Sequence, residues 1–97
     1  MTGVPFMSST IACIVKGRVQ GVGFRYFTQN KALELHLTGW VRNLPDGNVE
    51  INATGPVQEL ERLLQCLRAG PIGSRVDLVD FQWLPESREY RGFEIRG

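Results

Sequence analysis

Hydrophobic and polar positions along the chain change period several times, and each change marks an element. Residues 10–16 place Ile11, Cys13 and Val15 on one side and Ala12, Ile14 and Lys16 on the other. A run this apolar on both faces predicts a central strand. From Phe24 to Leu35 the spacing becomes helical, with Phe24, Thr28, Ala32 and Leu35 on one stripe and Phe27 at its border. Lys31 interrupts that stripe and Leu33 lies opposite it, but no proline or β-branched run competes with a helix. Thr38–Leu44 returns to period two, with Gly39, Val41 and Asn43 on one face and Trp40 and Arg42 on the other. Leu44-Pro45-Asp46-Gly47-Asn48 then reads as a turn. Val49–Thr54 alternates cleanly, with Val49, Ile51 and Ala53 inward and Glu50, Asn52 and Thr54 outward, which predicts a hairpin. Gly55-Pro56 opens a second helix with proline at its first position; Val57, Leu60, Leu64 and Leu67 form its stripe and Gly70-Pro71 ends it. Val76–Leu84 predicts a fourth strand with Val79, Phe81 and Trp83 on one face, and Phe93 with Ile95 a short terminal one. Residues 1–9 carry no such pattern and are expected to form a flexible leader to a single domain over 10–97.

The order strand, helix, strand, strand, helix, strand predicts an α+β fold of the ferredoxin-like, split βαβ kind: one antiparallel sheet with two helices on one face. Right-handed crossovers make the first two strands run the same way, with a third between them. Their C-terminal ends then share one edge of the sheet, about 10 Å apart. Asn43 closes one of those strands, and a glycine-rich stretch follows the other.

Composition narrows the function by exclusion. A chain of 97 residues holds one core. Its net charge of +1 argues against a general nucleic-acid or membrane-surface binder, which would carry a basic excess. No stretch has the length of a membrane span, and no charged segment followed by an apolar run marks a secretory signal, so a cytoplasmic location is expected. Cys13 and Cys66 lie far apart without a Cys-x-x-Cys pair and read as reduced thiols. His36, the single histidine, falls near the end of the first helix and has no ligand partners at metal spacing. No metal site and no cofactor are predicted.

The chemistry concentrates in Gly17-Arg18-Val19-Gln20-Gly21-Val22-Gly23-Phe24-Arg25. A glycine-rich loop that runs into a helix N-terminus turns backbone N–H groups toward one point and forms an anion cradle. Arg25 falls in the first helical turn, where the macrodipole disfavours a cation unless an anion sits between. By itself the stretch also fits an ordinary strand-to-helix turn; it is neither a dinucleotide fingerprint nor a Walker A loop.

A second stretch, Gly39-Trp40-Val41-Arg42-Asn43, follows Leu35-His36-Leu37-Thr38. By itself Asn43 reads as a strand-end residue that helps the turn; at one sheet edge with the loop and Arg25, it reads as a site residue. Together with Gly55-Pro56 and the closing Phe93-Glu94-Ile95, the two stretches resemble the signature pair of the acylphosphatases over about residues 10–96. The resemblance implies a ferredoxin-like enzyme that hydrolyses small acyl phosphates to a carboxylate and inorganic phosphate. It implies catalytic roles for Arg25, on the phosphate, and Asn43, on the attacking water. The backbone of Val19, Gln20, Gly21, Val22, Gly23 and Phe24 would complete the phosphate site with Arg25. The expected partners are the small acyl phosphate and inorganic phosphate, with no nucleic acid and no membrane, and the chain is expected to act as a monomer. Trp40 reads as packing, and Arg18 and Arg42 as surface charges. Tyr26 stands where the related domain of hydrogenase maturation proteins has proline, which favours the free-standing enzyme over an acylphosphatase-like module that binds or processes carbamoyl phosphate within a larger assembly. The same topology also serves RNA binding, but 11–16 and 49–54 lack the aromatic side chains that stack on bases.

Overall fold

The computed structural model describes residues 8–97. The elements are β1 (Ser8–Arg18), α1 (Phe24–Glu34), β2 (Thr38–Asn43), β3 (Val49–Pro56), α2 (Val57–Ala69), β4 (Arg75–Trp83) and β5 (Phe93–Arg96). The strands form one sheet in the order β4-β1-β3-β2-β5. β1 is antiparallel to β3 and to β4, and β2 is antiparallel to β3, so β1 and β2 run the same way with β3 between them.

β5 departs from the expected antiparallel sheet: it pairs parallel to β2 and makes the sheet mixed. The reason lies in the path of the chain. β4 ends where β1 begins, and the connection then crosses the sheet at that end. Leu84 N–H donates to Thr10 O at 2.9 Å, Arg88 N–H to Thr10 Oγ1 at 2.8 Å, and Gly39 N–H to Gly92 O at 2.9 Å. A strand entered from that end beside β2 can only run parallel to it. The same connection covers part of the face expected to be open, so Asn52 and Thr54 are buried and not outward in solvent.

The helix-facing side of the sheet pairs Ile11 with Ala53, Cys13 with Ile51 and Val15 with Val49, all buried. Against them α1 sets Phe24, Thr28 and Ala32, while α2 sets Leu60, Leu63, Leu64 and Leu67. Each fully buried leucine contributes about 1.5–3 kcal/mol. The stripe of α2 differs from expectation: Leu63 is fully buried and Val57 is 43% exposed. At 100° per residue the buried arc centres near Leu60 and Leu67, which leaves Val57 on its border. Pro56 is not the first helical residue; it caps α2 while still paired with Ser8 in the sheet.

β1 is longer than the pattern predicts at both ends. Ser8 and Ser9 pair with Pro56 and Gly55 and belong to the strand, while 1–7 of the expected leader lie outside the described residues. Beyond an irregularity between Lys16 and Gly17, Gly17 and Arg18 still pair with Val76 and Arg75. A Cβ on Gly17 would overlap the Arg75 carbonyl oxygen, so this glycine serves the close approach of β4. At the far end of α1, His36 adopts a left-handed φ of 56°, with His36 N–H on Leu33 O and Leu37 N–H on Ala32 O. That closes the helix in a Schellman turn and drops Leu37 into the core.

Candidate active site

The loop that joins β1 to α1 spans 19–23, held from beneath by side chains of the core. Val19 is buried, and Val22 packs half-buried against the same cluster. Between them the backbone turns at Gly21 (φ 76°) and Gly23 (φ 78°), both left-handed. A Cβ added to either would meet nothing within 4 Å, so glycine is required here for conformation and not for room. A side chain in that conformation costs about 1–2 kcal/mol. Left-handed residues alternating with right-handed ones let successive N–H groups converge on an anion.

Gly23 is the N-cap of α1, and no side chain caps the helix. Phe27 N–H bonds back to Gly23 O at 3.0 Å, so the N–H groups of Phe24, Arg25 and Tyr26 have no partner within the helix. The first turn holds no acidic residue to offset the dipole. Arg25 therefore adds a cation to an already electropositive end, an arrangement that favours a bound anion.

Asn43 reaches the same corner from the other strand. It is the last residue of β2, opposite Val49. The turn after it is closed without its help: Leu44 N–H donates to Asn48 O at 2.8 Å, Gly47 N–H to Leu44 O at 3.2 Å, and Asn48 N–H to Asp46 Oδ1 at 3.0 Å. Asp46 thus does the work that Asn43 alone would suggest. Among the described residues, neither Arg25 nor Asn43 has a side-chain hydrogen bond or an ion pair.

A cavity of about 160 Å³ opens between these groups. Val19, Gly21, Gly23 and Phe24 line it from the loop and helix start, Arg25 and Tyr26 from the first turn, and Asn43 from β2. Of the residues singled out in sequence, Gln20 and Val22 do not line it. The Gln20 side chain turns toward the hairpin and donates through Nε2 to Leu44 O and Asn48 O, both at 2.8 Å. Tyr26 joins the lining unforeseen. It stands 65% exposed at the mouth while Phe24 is 2% exposed at the base. Its signal in sequence was an aromatic side chain one position after Arg25, off the buried stripe of α1.

The remaining chemical groups stay out of this corner. Two guanidinium groups pack against the Trp40 ring, Arg42 at 5.3 Å and Arg96 at 4.9 Å from its centre. Arg42 is exposed, as expected of a surface charge, and also holds Glu50 through Nε at 2.6 Å. Burial pushes the Cys13 thiol up to about 12, with Arg68 pulling the other way, so it stays protonated and inert. Both cysteines are free. Among the described residues no three histidine, cysteine or acidic side chains converge as metal ligands, and no helix is long and apolar enough to cross a membrane.

Comparison with known proteins agrees on one relationship. The family model described as Acylphosphatase matches residues 11–95. An acylphosphatase of Thermus thermophilus is 51% identical over 85 residues, covering 88% of this chain and 96% of the relative. The crystal structure of acylphosphatase from Bacillus subtilis superposes with a TM-score of 0.89 at 38% identity, covering 94% of this chain and 100% of that one. Full-length HypF, solved in a phosphate- and nucleotide-bound form, superposes with a TM-score of 0.86 at 27% identity, but this chain covers only 13% of it.

Proposed function

This chain belongs to the acylphosphatase family, and from that premise we propose that Arg25, Asn43 and the 19–24 backbone hydrolyse the carboxyl–phosphate bond of small acyl phosphates. The observation that carries the assignment of residues is the convergence of two unpartnered polar side chains, Arg25 and Asn43, on one cavity beside the uncapped start of α1.

The phosphoryl group sits against the amides of Val19 to Phe24, and the Arg25 fork takes two of its oxygens. Charge spread over those oxygens in the transition state is met by donors already in place. Asn43 orients a water through its side-chain amide, which does not titrate near neutral pH. The water oxygen bonds to phosphorus as the bond from phosphorus to the acyl oxygen breaks. The acyl oxygen leaves with the electron pair as a carboxylate, a weak base that requires no proton from the protein. The proton of the water passes to a phosphate oxygen, so the products are carboxylate and inorganic phosphate. Positioning supplies most of the acceleration. The acyl group leaves by the mouth, past Tyr26, because Val19 and Phe24 close the base.

This reading treats the chain as a free-standing cytoplasmic monomer. The relatives named acylphosphatase are of nearly the same length, and the thiols of Cys13 and Cys66 are unpaired. The competing reading is a module that acts only inside a HypF-sized assembly. The test is phosphate release from acetyl phosphate and benzoyl phosphate by the purified chain alone. Multiple turnovers with competitive inhibition by inorganic phosphate and sulfate are expected. Binding of phosphate without turnover of either substrate would contradict the enzyme and leave a binding module.

A further inference from the structure

We propose that Gln20 is a positioning residue that sets where Asn43 holds the attacking water, acting as the joint between the phosphate loop and the β2–β3 turn. The proposal rests on the roles given above to Arg25 and Asn43. Its observation is independent of them: both hydrogens of one side-chain amide are used, Nε2 donating to Leu44 O and to Asn48 O at 2.8 Å each. Those carbonyls belong to the two residues whose backbones close the turn, through Leu44 N–H on Asn48 O at 2.8 Å.

The placement gives this joint a specific consequence. Gln20 lies between Val19 and Gly21, which line the cavity, and Leu44 directly follows Asn43, which lines it from the other side. β3 separates β1 from β2, so no ladder joins the two strands that carry the site directly. Among the described residues, no other hydrogen bond joins 19–23 to 43–48. The Gln20 side chain is therefore the one direct hydrogen-bonded link between loop and turn, added to the indirect connection through β3, where Val49 pairs with both Val15 and Asn43. Serving two carbonyls requires two hydrogens on a nitrogen at that reach, which glutamine has and glutamate or leucine lacks.

A reacting water misplaced by about 1 Å costs about 10²-fold in rate. Gln20→Leu should therefore lower kcat about 10- to 100-fold while the inhibition constant of inorganic phosphate stays within twofold, because the loop amides and Arg25 remain. Gln20→Glu places a carboxylate against two carbonyl oxygens. Repulsion and partial burial raise its pKa, and the protonated form donates one of the two bonds. Its kcat should rise as pH falls, on a limb that the wild-type protein lacks.

The deciding experiment is a double-mutant cycle on kcat, with benzoyl phosphate as substrate, phosphate as inhibitor and a thermal melt of every variant. If Gln20 acts through Asn43, the Gln20→Leu loss shrinks to less than about twofold once Asn43 is alanine. The same loss in both backgrounds would overturn the proposal while leaving the catalytic role of Asn43 standing. Loss of phosphate inhibition in Gln20→Leu at unchanged kcat would overturn it too, since Gln20 would then serve the phosphate. If Asn43→Ala itself keeps wild-type kcat, the site assignment fails and the proposal with it. Should Gln20→Leu not fold, the cycle is run with Gln20→Glu at neutral pH, judged by the same criterion.

Discussion

At the end of the sheet where β1 and β2 begin, polar side chains are buried and all of them are matched. Thr10 Oγ1 and Thr54 Oγ1 lie 2.6 Å apart, Arg88 N–H donates to Thr10 Oγ1, and Tyr90 O–H donates to Asn52 Oδ1 at 3.2 Å. At the opposite end, where the same strands finish, Arg25 and Asn43 face a cavity with no protein partner among the described residues. Burial enforces the first arrangement, because an unmatched polar group out of water costs about 1–3 kcal/mol. Half-exposed groups at a concavity face no such penalty, and their hydrogen-bonding capacity remains for a ligand. One sheet thus carries a polar end that holds the fold together and a polar end whose side chains keep their hydrogen-bonding capacity for a ligand. Telling them apart depends on partners, not on residue type.

The contrast can be broken by exchanging the expected effects of substitution at the two ends. The largest change should come from Arg25→Ala, which on the proposed mechanism removes a charge-assisted donor from the phosphate in ground and transition state alike. Loss of kcat/KM by about 10²- to 10³-fold is expected, with weakened phosphate inhibition and little change in melting. Arg25→Lys should rescue poorly, since a point charge cannot reproduce two parallel hydrogen bonds. Steady-state kinetics with phosphate as inhibitor and a melt of each variant check both. The reverse pattern is expected at the other end. Thr10→Val should cost about 1–3 kcal/mol in urea unfolding, by stranding the Thr54 hydroxyl and the Arg88 N–H, and leave kcat/KM within twofold. A Thr10 variant that keeps its stability but loses activity would erase the distinction.

The smallest effect on activity concerns Cys13, which belongs to neither end. Its thiol titrates near 12 in the folded protein because burial disfavours the thiolate, against an ordinary value of 9.0. The unfolded chain therefore loses this proton first. The contribution of Cys13 to stability is complete below pH 9 and declines as pH rises from 9 toward 12. Cys13→Ala should flatten that part of the pH–stability curve without moving activity at neutral pH, as melting across pH 8–11 would show.

Much of this layout was legible in the chain, for reasons that differ between regions. Period-two runs such as Val49–Ile51–Ala53 and the loop glycines state their geometry locally, so the four main strands, both helices and the corner where the glycine loop meets Asn43 follow from pattern. Arg25 was marked by electrostatics: a cation at a helix start with no acid near it. The misread parts depend on long-range packing. Asn52 and Thr54 look outward in sequence, and only the return of 84–92 across the sheet buries them. The same path makes β5 parallel to β2. The expectation for Gln20 concerned its backbone N–H alone; its side chain spans 24 and 28 residues to the hairpin, a contact that no local period encodes. Gly17, grouped with the loop glycines, serves strand packing against Arg75.

The central claim is that the unpartnered polar end is the catalytic end, and Asn43 tests it most directly because a turn residue and a water-orienting residue predict opposite results. The measurement is the steady-state hydrolysis of benzoyl phosphate by folded Asn43→Ala, with the inhibition constant of inorganic phosphate determined in parallel. A loss of about 10²-fold or more in kcat, with phosphate inhibition nearly unchanged, is the predicted result, the mark of an interaction used mainly in the transition state. Near-wild-type kcat in a variant whose melt confirms the fold would make Asn43 a strand-end residue and contradict the account.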